Sequence, residues 1–261
     1  LQSQWLWEQG DLAYDLAFGL IKLGRMQVEQ VAALLKGGLS PSNLELMVQR
    51  LVNKYVDADS EIMEMIATLI GCLGVWQETA VKIVIKSCGH RESGVRRAAV
   101  RAVTALLEAH PLAFAPLSEV WSKQLFDLYR KEKDPNLILN ALIILLQFCP
   151  SSAFTDGRHL AEFVPVWMQQ LDMDGEASAM AYRGPILLCL SVMALNHPNQ
   201  VRPYLKTILL LLTQGDANEV RLLRDLSGMD EEARRAVASW TMIRLKQLLD
   251  KPTVEHLRHA S

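Results

Sequence analysis

The feature that most constrains the fold is a helical pattern of apolar residues that recurs along most of the chain. We call the first apolar residue of each copy its anchor. The anchors are Ile62, Val95, Leu137, Met180 and Ala233, and they lie 33, 42, 43 and 53 residues apart. In most cases the residues four and eight positions after an anchor are apolar or small. These three positions share one face of an α-helix, and small side chains allow a second helix to approach closely. The pattern predicts an array of packed helices.

Residues that typically start or end helices lie between the anchors and support this prediction. Acidic residues stand three positions before four of the anchors, namely Asp59, Glu92, Asp134 and Asp230, whereas Ala177 occupies the fifth position. A carboxylate there can accept hydrogen bonds from free backbone N–H groups at a helix start. Prolines follow several of the predicted helices, at positions 111, 150, 198 and 252. Because proline cannot continue a helix, the sequence predicts a repeated unit of helix, turn and helix.

The segment from Glu92 to Val100 resembles the second helix of a HEAT repeat, and the segment from Asp134 to Leu145 is similar in its acidic turn and apolar positions. The resemblance implies an all-α fold, a right-handed α-α superhelix of the HEAT/armadillo-like solenoid type with about five to six helix pairs. HEAT repeats often carry an arginine directly after the anchor, and here only Arg96 and Arg234 do so. We therefore do not expect a continuous ladder of Asp–Arg pairs.

Length and composition fit one elongated α-solenoid domain over residues 1–261. The chain is 50% hydrophobic, enough to distribute a core over neighbouring repeats. Because the sequence starts at Leu1 and not at a methionine, we expect a segment of a larger repeat protein. The polar stretch 213–230 falls in the widest gap between anchors, and we interpret it as an inter-repeat insertion or loop.

Charge, apolar run length and cysteine content limit the partners and the cellular compartment that we expect for the chain. The 27 basic and 29 acidic residues give a net charge of −2, which provides no global attraction for nucleic acid. The longest apolar runs are shorter than the ~20 residues that span a bilayer, so we expect no membrane insertion. The four cysteines form no Cys-x-x-Cys pair. They are interpreted as reduced, buried thiols of an intracellular protein, cytoplasmic or alternatively nuclear.

Motifs that would carry chemistry are missing from the sequence. It contains no Gly-rich phosphate loop, no His-Glu-x-x-His and no Gly-x-Ser-x-Gly. The nearest approaches to a metal site are Cys88 with His90 and His256 with His259, and two ligands fall short of the four that zinc usually takes. We expect no catalytic residue, no metal and no cofactor, and hence no enzymatic activity.

A candidate partner site emerges when outward positions are compared between repeats. Positions two, six, nine and thirteen after an anchor should face solvent on a second helix. They are polar after Val95 but largely apolar after Leu137 and Met180. The predicted partner-binding residues are the apolar Leu139, Ile143, Leu146, Tyr182, Ile186 and Met193, flanked by the basic Arg97, Arg101 and Arg235. An apolar face requires a cover, which is either a partner or the chain itself.

The function predicted from these features is that of a non-catalytic intracellular scaffold or adaptor, which binds protein partners through the concave face of the solenoid. The expected partner is an apolar helix or peptide with acidic flanks, and the chain could be part of a larger complex. The alternative is a nucleic-acid-associated HEAT-repeat protein, either a backbone clamp or a helical-repeat DNA glycosylase. A continuous basic concave face would favour that alternative.

Overall fold

The computed structural model describes residues 10–22, 26–132, 134–154, 157–172, 177–212 and 215–249. Every regular element in these ranges is a helix, so the predicted all-α class is confirmed. The chain divides into two compact units, Leu1–His159 and Leu160–Ser261. His256 and His259, together with the side chain of Met180, lie outside the described residues.

The first unit consists of successive helices joined by short turns. They are α1 (Gly10–Lys22), α2 (Val28–Gly38), α3 (Pro41–Val56), α4 (Ser60–Leu73), α5 (Glu78–Ser87), α6 (Ser93–Ala109), α7 (Pro111–Phe114), α8 (Ser118–Tyr129) and α9 (Asn136–Phe148). A 3-10 turn, Ala115–Leu117, joins α7 to α8. Proline 111 opens α7 directly after α6 ends, as the predicted helix stop requires.

Alternate helices of the first unit pack side by side. Helix α4 lies between α2 and α6, and α6 in turn contacts α9. We call α2, α4, α6 and α9 the second-helix row. On the other side of this row, α3 contacts both α4 and α5, and α5 contacts α6. Successive helix pairs therefore meet mainly through their second helices, and the first helices α3 and α5 also touch.

The predicted packing face of the second helices is buried. Ile66, Ala99 and Ala141 stand four positions after their anchors and are at most 1% exposed, and the residues eight positions after are equally buried. At Gly71 the helices come so close that a Cβ atom would lie 2.6 Å from the Cα of Ala102. The close approach of α4 and α6 thus requires glycine at this position.

Polar contacts also recur from pair to pair at a sequence separation of 36 residues. Lys36 Nζ donates to the carbonyl of Cys72 at 3.4 Å, and His110 Nε2 lies 2.7 Å from the carbonyl oxygen of Gly74. Gly74 adopts the left-handed conformation that ends α4 (φ 63°). Each contact joins the end of one second helix to the end of the next.

The second unit contains most of α10 (Arg158–Asp172), α11 (Ala177–Asn196), α12 (Pro198–Val201), α13 (Leu205–Leu211), α14 (Ala217–Ser227) and α15 (Glu231–Leu249). A 3-10 turn, Arg202–Tyr204, connects α12 to α13. Helix α14 packs against α11 and α15, while α15 also contacts α13. The strongest contact of this unit joins α11 to α14, across the short helices α12 and α13.

Of the two interpretations of 213–230, an inter-repeat insertion or a loop, the loop is wrong, because this stretch contains the three-turn helix α14. The Asp216 side chain caps the helix by accepting hydrogen bonds from the N–H groups of Asn218 and Glu219. Leu222 and Leu226 are fully buried on the face toward the core. Two acidic residues, Glu219 and Asp225, are buried on that face as well. Because both are charged, the sequence of this amphipathic helix resembles that of a polar loop.

Within the described ranges, no single helix combines the length and apolar composition needed to cross a membrane. One pair of helical segments, Ser93–Ala109 and Pro111–Tyr129, reaches that composition jointly but is bent by 120°.

Candidate functional site

The structure buries most of the apolar residues predicted to bind a partner. Leu139, Leu146 and Met193 are 0% exposed, and Ile143 and Ile186 are 8% and 1% exposed. Tyr182 is half-buried. The predicted outward orientation is therefore wrong for the five aliphatic residues, which do not form an open apolar groove.

The packing explains this burial. Helix α9 contacts α6 and α8, and its predicted site residues Leu139, Ile143 and Leu146 are covered by the chain itself. Helix α11 packs extensively on α14, which lies in the segment that the sequence analysis interpreted as an insertion or loop. Self-coverage, the alternative left open by the sequence, is what the structure shows.

The three arginines predicted to flank the site are exposed, but they lie in different surroundings. Arg235 Nε lies 3.2 Å from a carboxylate oxygen of Glu231 on the same helix. Arg97 lines a cavity between α6 and α9, and Arg101 lines a separate groove across α2, α4 and α6. Arg97 and Arg101 are thus on the second-helix row, whereas Arg235 belongs to the second unit.

The cavity between α6 and α9 has a volume of about 370 Å³, and one of the residues that line it is Arg96. Its Nε lies 2.5 Å from an oxygen of Glu132, and its Nη1 donates to the carbonyls of His90 and Arg91 at 2.8 and 2.7 Å. These three contacts fix the turn before α6 to the turn before α9. Arg96 therefore has a structural role between helix pairs, and of the lining arginines only Arg97 is exposed.

A larger groove of about 690 Å³ crosses the starts of α2 and α4 and the middle of α6. We call it the α2–α4–α6 groove. Its lining residues are Ile21, Gln27, Val28, Glu29, Asp59, Glu61, Ile62, Glu64, Met65, Thr68 and Arg101. The side chains of Val28, Ile62 and Met65 are half-buried, which leaves an accessible apolar floor between charged residues.

The carboxylates of this groove have different roles. Asp59 caps α4, because its Oδ1 accepts a hydrogen bond from Ile62 N–H at 2.9 Å. Glu29, Glu61 and Glu64 are exposed, and none of the ion pairs among the described residues involves them. The groove therefore has three carboxylates without a cationic partner among the described residues. One of them, Glu64, packs against Gly94 in the first turn of α6.

Sequence reasoning missed this groove although a signal for it was present. Glu64 and Thr68 stand two and six positions after Ile62, the same outward offsets that were used to select Arg97 and Arg101 after Val95. Applying the offsets to the Ile62 repeat would have selected Glu64 and Thr68 for the outward surface, but not the other carboxylates of the groove. Glu29 comes from another helix, about 30 residues earlier, and only the packing of α2 on α4 places it at the same groove.

Cysteine chemistry is suppressed by burial. All four cysteines are free thiols, and three of them, Cys88, Cys149 and Cys189, are buried. Burial raises the pKa of the Cys88 thiol to about 12, and burial raises that of Cys189 as well. Thiolate is the reactive form, so both side chains are unreactive at neutral pH. In the part of the chain that the structure describes, no three His, Cys, Asp or Glu residues converge as metal ligands.

Comparison with known proteins supports the fold class. No family model matches the chain, and no curated protein matches it. One similar solved structure is a crystal structure of an engineered protein, 15% identical, with a TM-score of 0.51 over 87% of this chain and 97% of that chain. A second engineered protein is 16% identical, with a TM-score of 0.55 over 95% of this chain and 61% of that chain. This likeness shows the fold alone, and the class it defines is an all-helical protein.

Proposed function

We propose that the chain is a HEAT/armadillo-like, right-handed superhelical scaffold, which binds a protein partner on the outward surface of its second helices and has no catalytic activity of its own. The observation that carries this proposal is the α2–α4–α6 groove. Three consecutive second helices contribute to a depression of about 690 Å³ with half-buried apolar side chains and unpaired charges. Such a mixture is typical of surfaces that receive a peptide or helix.

The residues that line the groove are not the residues that form the buried core. Its exposed residues are on the opposite side of the helices from the buried row that contains Ile66 and Ala99. A partner can therefore replace water in the groove without displacing core side chains. Adaptor proteins with repeated helices can change their outward residues in this way while they keep the packing face.

The nucleic-acid alternative receives less support from the same geometry. A backbone clamp needs a track of basic side chains, because phosphate contacts dominate its affinity. Where the structure describes its lining, the α2–α4–α6 groove instead combines four carboxylates with one guanidinium, that of Arg101. Arg97 lies at the separate cavity between α6 and α9, beside Glu132 and Asp134.

Site-specific photo-crosslinking tests the proposed function. A photoreactive residue replaces Glu64 in the groove, and a matched variant carries it at the exposed Lys54 on α3, outside the second-helix row. In cell lysate, we expect discrete crosslinked proteins from position 64 and few from position 54. Crosslinks that are equal at the two positions, or stronger at position 54, would contradict binding through the second helices.

A further inference from the structure

The charge of the α2–α4–α6 groove constrains which partner it can receive. Among the described residues that line the groove, Glu29, Asp59, Glu61 and Glu64 oppose one cation, Arg101. Because several like charges line one depression, they create a local negative potential even though the net charge of the chain is only −2. The predicted partner with acidic flanks would be repelled by three unpaired glutamates.

The apolar floor constrains the partner further. Val28, Ile62 and Met65 are half-buried between the glutamates, so a purely ionic ligand would leave their accessible surface in contact with water. Burying such side chains under apolar groups is favourable by about 25 cal/mol per Å² of apolar surface. A partner that matches both features has apolar residues along one face and basic residues beside them.

The dimensions of the groove suit a short helical segment. Adjacent packed helices are separated by about 8–10 Å, so a ligand that crosses three of them spans about 20 Å. A helix of about 14 residues has this length. Arg101 on α6 places a positive charge at one side of the groove, which gives a bound segment a preferred direction.

From these observations we infer that the α2–α4–α6 groove binds an amphipathic, basic peptide segment of a partner protein, with its apolar face on Val28, Ile62 and Met65 and its lysines or arginines beside Glu29, Glu61 and Glu64. The inference rests on the proposed scaffold function and specifies the partner chemistry. The partner is recognised by complementary charge at the rim and apolar contact at the floor.

Fluorescence anisotropy with two synthetic peptides tests this inference. One labelled peptide of about 14 residues has leucine on one helical face and lysine elsewhere, and the second has glutamate in place of every lysine. We expect the lysine peptide to bind at least about tenfold more tightly than the glutamate peptide, with an affinity that falls as salt is added. Equal affinity, or tighter binding of the glutamate peptide, would overturn the inference.

Matched variants of the protein localise the binding. The groove variant is Glu61→Lys with Glu64→Lys, and the control is Glu45→Lys with Glu108→Lys, which changes the same net charge at exposed residues outside the groove. We expect the groove variant to lose about tenfold in affinity for the lysine peptide, and the control to lose less than about threefold. Equal losses would overturn the inference by showing non-specific attraction. If the groove variant fails to fold by circular dichroism, Glu61→Gln with Glu64→Gln replaces it, with Glu45→Gln and Glu108→Gln as its control.

The photo-crosslinking result distinguishes failure of the scaffold proposal from failure of the basic-peptide inference. Photo-crosslinking from position 64 that captures a protein through an acidic or uncharged segment would support the scaffold and overturn the basic-peptide inference. Crosslinking that captures nothing selectively in the groove would contradict the scaffold function itself, regardless of how the synthetic peptides behave.

Discussion

Arg183 on α11 and Glu219 on α14 form an ion pair in the interior of the second unit. Their side chains are only 8% and 1% exposed. Arg183 Nη2 also donates to the carbonyl of Leu211 at 3.1 Å, and Glu219 Oε2 accepts from the N–H of Gly215 at 2.6 Å. The pair therefore fixes α14 and the turn before it to α11.

Removal of one member of this pair is expected to destabilise the protein strongly. Glu219→Ala leaves the buried guanidinium of Arg183 without its counter-ion, and such changes cost about 3–5 kcal/mol of unfolding free energy. The double variant Arg183→Met with Glu219→Leu removes both charges and is expected to be considerably more stable than the single variant. Urea denaturation followed by circular dichroism measures both. A control, Arg235→Ala, breaks an exposed pair and should cause little change. Similar losses for all three variants would contradict the structural role of the buried pair.

A second prediction concerns the close approach of α4 and α6. Gly71→Ala places a Cβ atom 2.6 Å from the Cα of Ala102, so the helices must separate. Overpacking of this kind costs about 1–3 kcal/mol. Gly37→Ala in α2 is the matched control, because a Cβ atom there meets nothing within 4 Å. The control should instead gain about 0.5–1 kcal/mol from the better helix propensity of alanine. Thermal unfolding of the two variants would show opposite shifts, and equal shifts would contradict the described helix contact.

The turn before α15 provides a pH-dependent prediction. The hydrogen bond from Ala233 N–H, followed by the nearby Arg202 guanidinium, lowers the pKa of Asp230 below its ordinary value of 3.8. A carboxyl group whose pKa is lowered by folding stabilises the native state above its unfolded pKa, and this contribution is lost as the pH falls through the folded pKa. The stability difference between the wild type and Asp230→Asn should therefore be constant above about pH 5 and shrink as the pH falls below about 4. Chemical denaturation across this pH range measures it, and a difference that grows in acid would refute the assignment.

Cysteine labelling reports on the packing of both units. Cys72 is only partly buried, whereas the other three thiols are inaccessible in the native structure. We expect a thiol-alkylating reagent to modify Cys72 first under native conditions. Cys88, Cys149 and Cys189 should react only when the protein opens. Mass spectrometry of timed labelling reactions distinguishes these sites, and early modification of Cys189 would contradict its complete burial.

The sequence predicted the buried face of the second helices well. Ile66, Ala99 and Ala141 follow from helical periodicity, a local property that requires no knowledge of distant residues. Helix ends at Ala109 and Phe148 were also predictable, because prolines follow them within two residues. The details of local capping were partly predictable, as the side-chain hydrogen bond of Asp59 shows.

Features that depend on distant residues were not predictable. Helix α14 appeared to be a loop because Glu219 and Asp225 are charged, yet Arg183 and Ser191 on α11 form hydrogen bonds with them in the interior. The orientation of Ile143 was wrong because neighbouring segments cover α9 on sides that its own sequence cannot specify. The α2–α4–α6 groove requires three separate helices, so no single stretch of sequence contains it.

Hydrogen–deuterium exchange of the intact chain with the basic amphipathic peptide bound tests the central claim most directly. We predict slower exchange in segments from α2, α4 and α6 that border Glu29, Glu61 and Arg101, and unchanged exchange in α3 and α5 on the other side of the helix pairs. Protection confined to α3, α5 or the second unit, or the same protection in the Glu61→Lys, Glu64→Lys variant, would contradict binding through the α2–α4–α6 groove.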